Sequence, residues 1–430
     1  MKKTIYIVLI ILAWSVVSCT PDKYDVKEFD MVDMDRIQEI MLRLSHYEVL
    51  ADGKACITFS PLLTVEEGYE VPDSRVDHSQ IEYLTPDGQI LSDTFCTADK
   101  SLIGETISVY ARIKGRDLTS NEVSFRVTDP SAVETFQEIT IPVVFHLLQS
   151  EFDVTAYGGE ISAERIQLLL DKINNTFSGI VSNSATGVDT RIRFEPALYD
   201  PYGDELAEPG INRVYADNVT DEGQDFYKTF ITNQKALWPY DKYLNIWLVS
   251  DLLGTYETFY RTLSTTCIPR YVATADVLAD IPQGLTLAEL PTNWEPVPNE
   301  VGILYKLQSI FKMTRAFGEE SENELVNCIG YYFGLLPTWG ISDDGIPDDY
   351  CSDTHAYYGD ENTGYNISVN KTVDDYYFLS ENIMDDPTGV HRSITLQQAQ
   401  RIHWVLNNCP ERSAWKSDFA FTGKESMNNN

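Results

Sequence analysis

Hydrophobic and polar positions along this chain fall into several distinct patterns, and the changes between them mark its organisation. Met34, Ile37, Ile40, Met41 and Leu44 recur at helical spacing, which predicts a short amphipathic helix over residues 33–45. From Ala51 to Val127 short runs take over. Ala55–Phe59, Gln80–Leu84, Thr106–Ile113 and Glu122–Val127 read as strands, separated by turn signals such as Asp52-Gly53 and Pro86-Asp87-Gly88. Asp129-Pro130 reads as a linker. From about Glu134 the pattern is mixed. Ile139–Leu148 (I-T-I-P-V-V-F-H-L-L) predicts a buried strand. Ser162 stands where it can cap a helix with the apolar face Ile166, Leu169, Leu170, Ile173 and Phe177. Arg191–Phe194 and Leu244–Val249 (L-N-I-W-L-V) supply two more strands, and a last helix opens at Thr395 and runs through Gln400, Ile402 and Val405. No internal repeat is visible.

The chain has 430 residues, long enough for two domains. The expected fold class is α+β. The strands within 33–128 resemble the small immunoglobulin-like β-sandwich of bacterial surface proteins, whose usual role is that of a spacer. The mixed pattern over 134–424 forms the second domain.

The first residues change the picture of where such a protein works. Lys2 and Lys3 precede an apolar run from Ile5 to Val17, which ends in Ser18-Cys19. The run is shorter than the roughly 20 residues of a spanning helix. It resembles a bacterial lipoprotein signal peptide over residues 1–18, which implies cleavage before Cys19 and lipidation of that thiol. The simpler alternative is an ordinary secretory signal with an incidental cysteine. Residues 19–32 then form a polar, acidic tether. The expected address is the bacterial cell envelope, with the lipid in the outer membrane.

Charge excludes some partners. Lys and Arg number 32 against 66 Asp and Glu, a formal charge of -34, which argues against nucleic acid and anionic membrane surfaces. Solubility is the simplest reason for this acidity. Besides Cys19, six cysteines remain. In an exported protein Cys56 and Cys96, both on strand-like segments, are the expected disulfide. Cys267, Cys328, Cys351 and Cys409 allow three pairings, and their wide spacing gives no zinc-finger signal.

The chemistry centres on Asn327–Pro337, which reads N-C-I-G-Y-Y-F-G-L-L-P. Set against H-E-x-x-H-x-x-G-L-x-H, its apolar frame and Gly334-Leu335 fall in register. The three His positions hold Asn327, Tyr331 and Pro337, and the Glu position holds Cys328. Zinc needs ligands of the right reach, and His at i and i+4 supplies two from one helical face. Proline offers no side-chain donor at all, and a thiol is no substitute for the carboxylate that takes a proton from water.

Several other segments accompany that helix in order. They are P-V-V-F-H (Pro142–His146), L-N-I-W-L, D-Y-C-S-D-T (Asp349–Thr354), N-I-M-D (Asn382–Asp385) and C-P-E-R-S-A-W-K-S-D-F-A-F-T-G from Cys409. The ordered set resembles the metzincin clan, and within it the pappalysin-like zinc-dependent metalloproteinase lipoproteins of gut bacteria. The resemblance implies a metzincin-like α/β zincin domain with a methionine turn at Met384. It also implies that zinc is lost along with all its ligands and the base. Where such enzymes have a tyrosine two residues after the methionine, this chain has Asp386.

Other candidates can be weighed beside it. A relocated metal site would draw on Cys328, His355 and His391. His146 reads as a strand histidine satisfied by its neighbours, and His403 as part of the last helix. Asp343, Asp344, Asp348, Asp349 and Asp353 form an acidic loop that suits calcium, although a solvated loop explains it equally. The 25 Tyr, 18 Phe and 7 Trp invite a glycan-binding reading but have no regular clustering. Three functions follow. The first is a pseudoprotease that binds a polypeptide or a surface-protein partner without hydrolysis. The second is an active metallopeptidase with a rearranged site. The third is a structural or glycan-binding surface lipoprotein.

Overall fold

A computed structural model describes residues 31–149, 160–180, 184–215, 236–249, 302–306, 319–340, 349–358, 370–373, 376–386, 389–409 and 412–425. Cys19, Cys267, Asp343, Asp344 and Asp348 lie outside the described residues.

The N-terminal part is all β. Strands β1 (Glu39–Leu44), β3 (Cys56–Thr64) and β6 (Thr94–Cys96) form one sheet in the order β1-β3-β6. Strands β2 (Glu48–Leu50), β4 (Ile81–Leu84), β5 (Ile90–Leu91), β7 (Thr106–Ile113) and β8 (Val123–Thr128) form the other in the order β2-β8-β7-β4-β5. The β2–β8 pair is parallel. The sheets meet through aromatic rings: Phe59 lies 5.3 Å from Tyr83 and 6.2 Å from Phe125, and Phe95 lies 5.0 Å from Phe125. Cys56 and Cys96, directly opposite on β3 and β6, form a disulfide.

The helix expected over 33–45 is not formed. Asp33 caps a single short turn at Met34–Arg36, and β1 follows. Ile40, Leu42 and Leu44 are buried while Glu39 and Met41 are exposed, a period of two. β1 pairs along its whole length with β3, from Glu39 opposite Thr64 to Leu44 opposite Phe59. The helical count rested partly on Met41, which turns to solvent; cross-strand pairing outweighed an ambiguous local pattern.

The second part is mixed α/β around a parallel sheet. Strand β9 (Ile139–Gln149) runs through its centre. On one side it pairs first with β10 (Ile192–Pro196) and then with β11 (Ile211–Tyr215); on the other it pairs with β12 (Leu244–Val249), which pairs with β13 (Gly302–Lys306). All these pairings are parallel, as suits a nearly continuous apolar strand covered on both faces. Pro142 breaks that run harmlessly. It precedes Val143, the first β9 residue opposite β12, so its missing N–H falls outside that ladder.

Helix α1 (Ala163–Phe177) covers the sheet with Ile166, Leu169, Leu170, Ile173 and Phe177, capped by Ser162. Its Asn174 exchanges two 2.8 Å hydrogen bonds with the backbone of Phe194 on β10. At the sheet's centre His146 Nδ1 accepts from Asn212 at 2.8 Å and Nε2 faces Asn245 Oδ1 at 2.9 Å. The Trp238 and Trp247 rings flank it. Complete burial pushes this imidazole down to about 4, so it is neutral at physiological pH. His146 is a structural strand residue.

Helix α2 (Glu319–Tyr332) carries the motif and packs against α1, and helix α3 (Leu396–Asn408) follows later in the chain. A capping box of Thr395 and Gln398 opens α3, and its His403 donates to Thr190 O at 2.7 Å. A last short helix, α4 (Phe419–Thr422), closes the chain over a second small core with Val144, Trp238 and Tyr243. Residues of both parts contribute to one continuous core, from Ile40 and Val127 to Leu335 and Ile402.

Candidate functional site

The motif helix ends at a glycine turn. Gly334 adopts φ 80°, its N–H reaches Tyr331 O at 2.9 Å, and the Leu335 N–H returns to Gly330 O at 3.0 Å. Two arginines satisfy carbonyls at this helix end. Arg412 Nε donates to Tyr332 O at 2.7 Å with its guanidinium 3.8 Å over the Tyr332 ring, and Arg401 donates to Gly334 O at 3.1 Å. Cations at a helix C-terminus also complement its dipole.

Residues 380–386 and 389–393 lie together beneath α2. Their backbones are tied by Val390 N–H to Ser380 O, Arg392 N–H to Glu381 O and Ile383 N–H to Ser393 O. His391, at φ 48°, is buried and directs Nε2 to Asp386 O at 2.7 Å. Met384, wholly buried, lies against the helix. A Cβ at Gly330 would meet its Sδ at 2.5 Å, so only glycine permits this approach.

Asn327 projects to the same place, one turn earlier. Its Nδ2 donates to Ile383 O at 2.8 Å and lies 3.9 Å from Met384 Sδ. Beyond Pro337, Thr338 holds the loop's other flank. Its N–H reaches Met384 O at 3.1 Å, and its hydroxyl donates to Asp385 Oδ1 at 2.6 Å. Asp385 also accepts from Ser380 Oγ at 2.9 Å and Asn382 N–H at 3.0 Å. Burial pushes its carboxyl up to about 7 against these donors. Short strands β14 (Trp339–Gly340) and β15 (Tyr357–Tyr358) pair in parallel alongside. Tyr357 Oη accepts from Asp386 N–H at 2.9 Å, and Lys371 Nζ pairs with Asp386 at 2.8 Å in a buried contact. Lys371 belongs to β16 (Asn370–Val373), which pairs with β17 (Tyr376–Leu379).

These residues do not fit zinc. The Asn327 nitrogen is spent as a donor, Pro337 has no donor atom to offer, Tyr331 is half-buried, and the half-buried thiol of Cys328 is a single sulfur. The relocated site is not assembled either. His355 is enclosed by the rings of Tyr47 (5.9 Å) and Phe378 (4.6 Å), and His391 is turned to backbone carbonyls. Among the described residues no three His, Cys, Asp or Glu side chains stand together in a metal-holding group. Cys328 is half-buried, and Cys351 and Cys409 are buried.

Of the acidic loop, Asp349 and Asp353 are described. Asp349 accepts from Cys351 N–H (3.1 Å) and Thr354 Oγ1 (2.8 Å), and Asp353 from Thr395 Oγ1 (2.8 Å) and Gln397 N–H (2.9 Å). Burial raises both carboxyls. Asp353 therefore braces the start of α3.

Sequence reasoning missed Gly330, Thr338, Asp385 and Glu381. A glycine amid the apolar face of a helix was the one available signal, since it marks a close approach.

No family model matches the chain, and no curated protein matches it. Among solved structures it is similar to mature mirolysin of Tannerella forsythia bound to a cleaved peptide: 18% identity, TM-score 0.42, 66% of this chain and 97% of that chain. Mirolysin in complex with a small compound gives 18% identity, TM-score 0.43 and the same coverage. Promirolysin of Tannerella forsythia gives 16% identity, TM-score 0.38, 67% of this chain and 87% of that chain.

Proposed function

We propose that this chain is a pseudoprotease: a metzincin-like scaffold, held at the bacterial outer membrane through a lipid on Cys19, that binds a polypeptide or a surface-protein partner without cutting it. One observation carries the loss of hydrolysis. The side chain at the first ligand position, Asn327, points its amide N–H at Ile383 O, where a ligand would have to present a lone pair. The neighbouring motif residues supply no compensating set of donors, and Cys328 stands where the water-activating carboxylate belongs. The retained parts are structural: the Gly334 turn, the close approach at Gly330, and Met384 beneath it. The N-terminal two-sheet unit is proposed as the family's immunoglobulin-like module.

A calcium ion on the 343–353 loop is the cofactor proposal that accompanies this reading. Asp343, Asp344, Asp348, Asp349 and Asp353 are its candidate ligands, and Asp349 and Asp353 also accept from protein donors.

The test is metal analysis and a peptidase assay on the purified full chain after incubation with zinc. The expected result is sub-stoichiometric zinc and no cleavage of denatured protein substrates. One tightly bound equivalent of zinc, with cleavage abolished by a chelator, would overturn the proposal.

A further inference from the structure

The asparagine at position 327 does more than fail to bind a metal. The turn it touches carries Ile383 and Met384, both fully buried. Its amide hydrogens are engaged: Ile383 N–H with Ser393 O at 3.0 Å, Met384 N–H with Asn382 Oδ1 at 2.9 Å, and Asp385 N–H with Asn382 O at 3.1 Å. Asn327 Nδ2 joins this turn to α2 by a 2.8 Å hydrogen bond to Ile383 O. Thr338, at the other end of the motif, holds Met384 O and Asp385. The turn is thus clasped from positions 327 and 338, with Gly330 leaving room for Met384 Sδ between them.

We infer that Asn327 is a lock residue, closing the motif helix onto the 381–386 turn by a side-chain hydrogen bond at the place where a metal ligand would stand. The inference rests on the reading that positions 327–337 do not take zinc. It adds that the junction is held internally, so that its closure is independent of any ion. The chemistry required is narrow. The residue must be short, must donate, and must sit beside a thioether. Aspartate keeps the shape but offers a carboxylate to a carbonyl oxygen, and alanine removes the group.

Amide hydrogen exchange on the full chain in metal-free buffer tests this. In Asn327→Asp and in Asn327→Ala, residues 383–385 should exchange on the order of tenfold faster, because Ile383 O loses its donor. Residues Ile192–Pro196, in the parallel sheet, should keep their protection. Added zinc should change neither pattern. Unchanged exchange at 383–385 in both variants would overturn the lock, as would an equal loss of protection at 192–196, which would make Asn327 a general core residue. Uptake of one equivalent of zinc by the unaltered chain would instead overturn the underlying reading, which the metal-free exchange does not depend on.

Discussion

His46 Nε2 lies 3.1 Å from Glu381 Oε1, a contact between two buried side chains. It joins the N-terminal sheets to the loop that carries Met384. The joint is extended by Leu379 N–H to Ser45 O at 3.1 Å, by the Tyr47 ring against His355, and by Leu50 N–H to Ala185 O at 3.1 Å. Burial raises the Glu381 carboxyl, but His46, Ser184 and Arg392 around it together hold it below the ordinary carboxylate range.

Removing one partner of this pair should therefore be costly. Glu381→Ala leaves Arg392 and His46 without their anion, and a loss of roughly 3–5 kcal/mol is expected in urea unfolding. Replacing His46 and Glu381 together with leucine should cost less than the two single changes summed, because each single change already removes the contact the two side chains share. Additive losses would show that the pair does not couple the two parts.

Two buried groups tilt stability with pH in opposite directions. His146 is depressed to about 4, so its contribution is present above the unfolded value near 6.5 and is lost as pH falls toward 4. Asp385 is raised to about 7, so its contribution is present below the unfolded value near 3.8 and is lost as pH rises toward 7. Each acts with a limiting slope of about 1.4 kcal/mol per pH unit. In Asp385→Asn the opposing slope disappears, and stability should climb more steeply from pH 4 to 7 than in the unaltered chain. Parallel stability–pH curves for the two would show that Asp385 stays ionised throughout.

Strands β9, β10 and β12 and helices α1 and α3 were legible because an apolar run, or an apolar stripe behind a capping residue, leaves a local imprint, whereas β11 and β13 were not anticipated. Ser162 and Thr395 mark their helices without help from tertiary structure. β1 was misread because five apolar residues satisfy a helical count while pairing with β3 decides the outcome. The motif frame was legible for the same reason as the helices. The donors that hold the loop were not, since Thr338 and Asp385 meet only after the chain has travelled 47 residues between them. Nor does composition disclose His46 with Glu381, which bridges the two parts of the molecule.

Lipidation can be tested apart from the site. Cys19→Ala should move the protein from the membrane to the soluble fraction, because the proposed anchor is a lipid on that thiol. Undiminished retention in the membrane fraction would assign anchoring to another segment.

Rebuilding the motif should expose what Asn327 contributes. In a variant with His at 327, 331 and 337 and Glu at 328, the Ile383 O contact is lost, and the metal-free protein should be less stable than the unaltered chain by about 1–3 kcal/mol. If the three imidazoles converge, zinc should raise the melting temperature in step with its concentration. Proteolysis need not follow, because the supporting groups are set for a turn held by hydrogen bonds. A folded variant indifferent to zinc would count against the alignment of the motif.

The seam made by Ser45, His46, Tyr47 and Leu50 also limits how this molecule can be reused. An N-terminal unit transplanted onto another protein would expose an imidazole, a phenol ring and unpaired backbone groups that are now covered. The remainder would be left with the Glu381 carboxylate stripped of His46. Exchange of such parts between proteins therefore demands matched changes on both sides of the seam, so their sequences must drift as a pair.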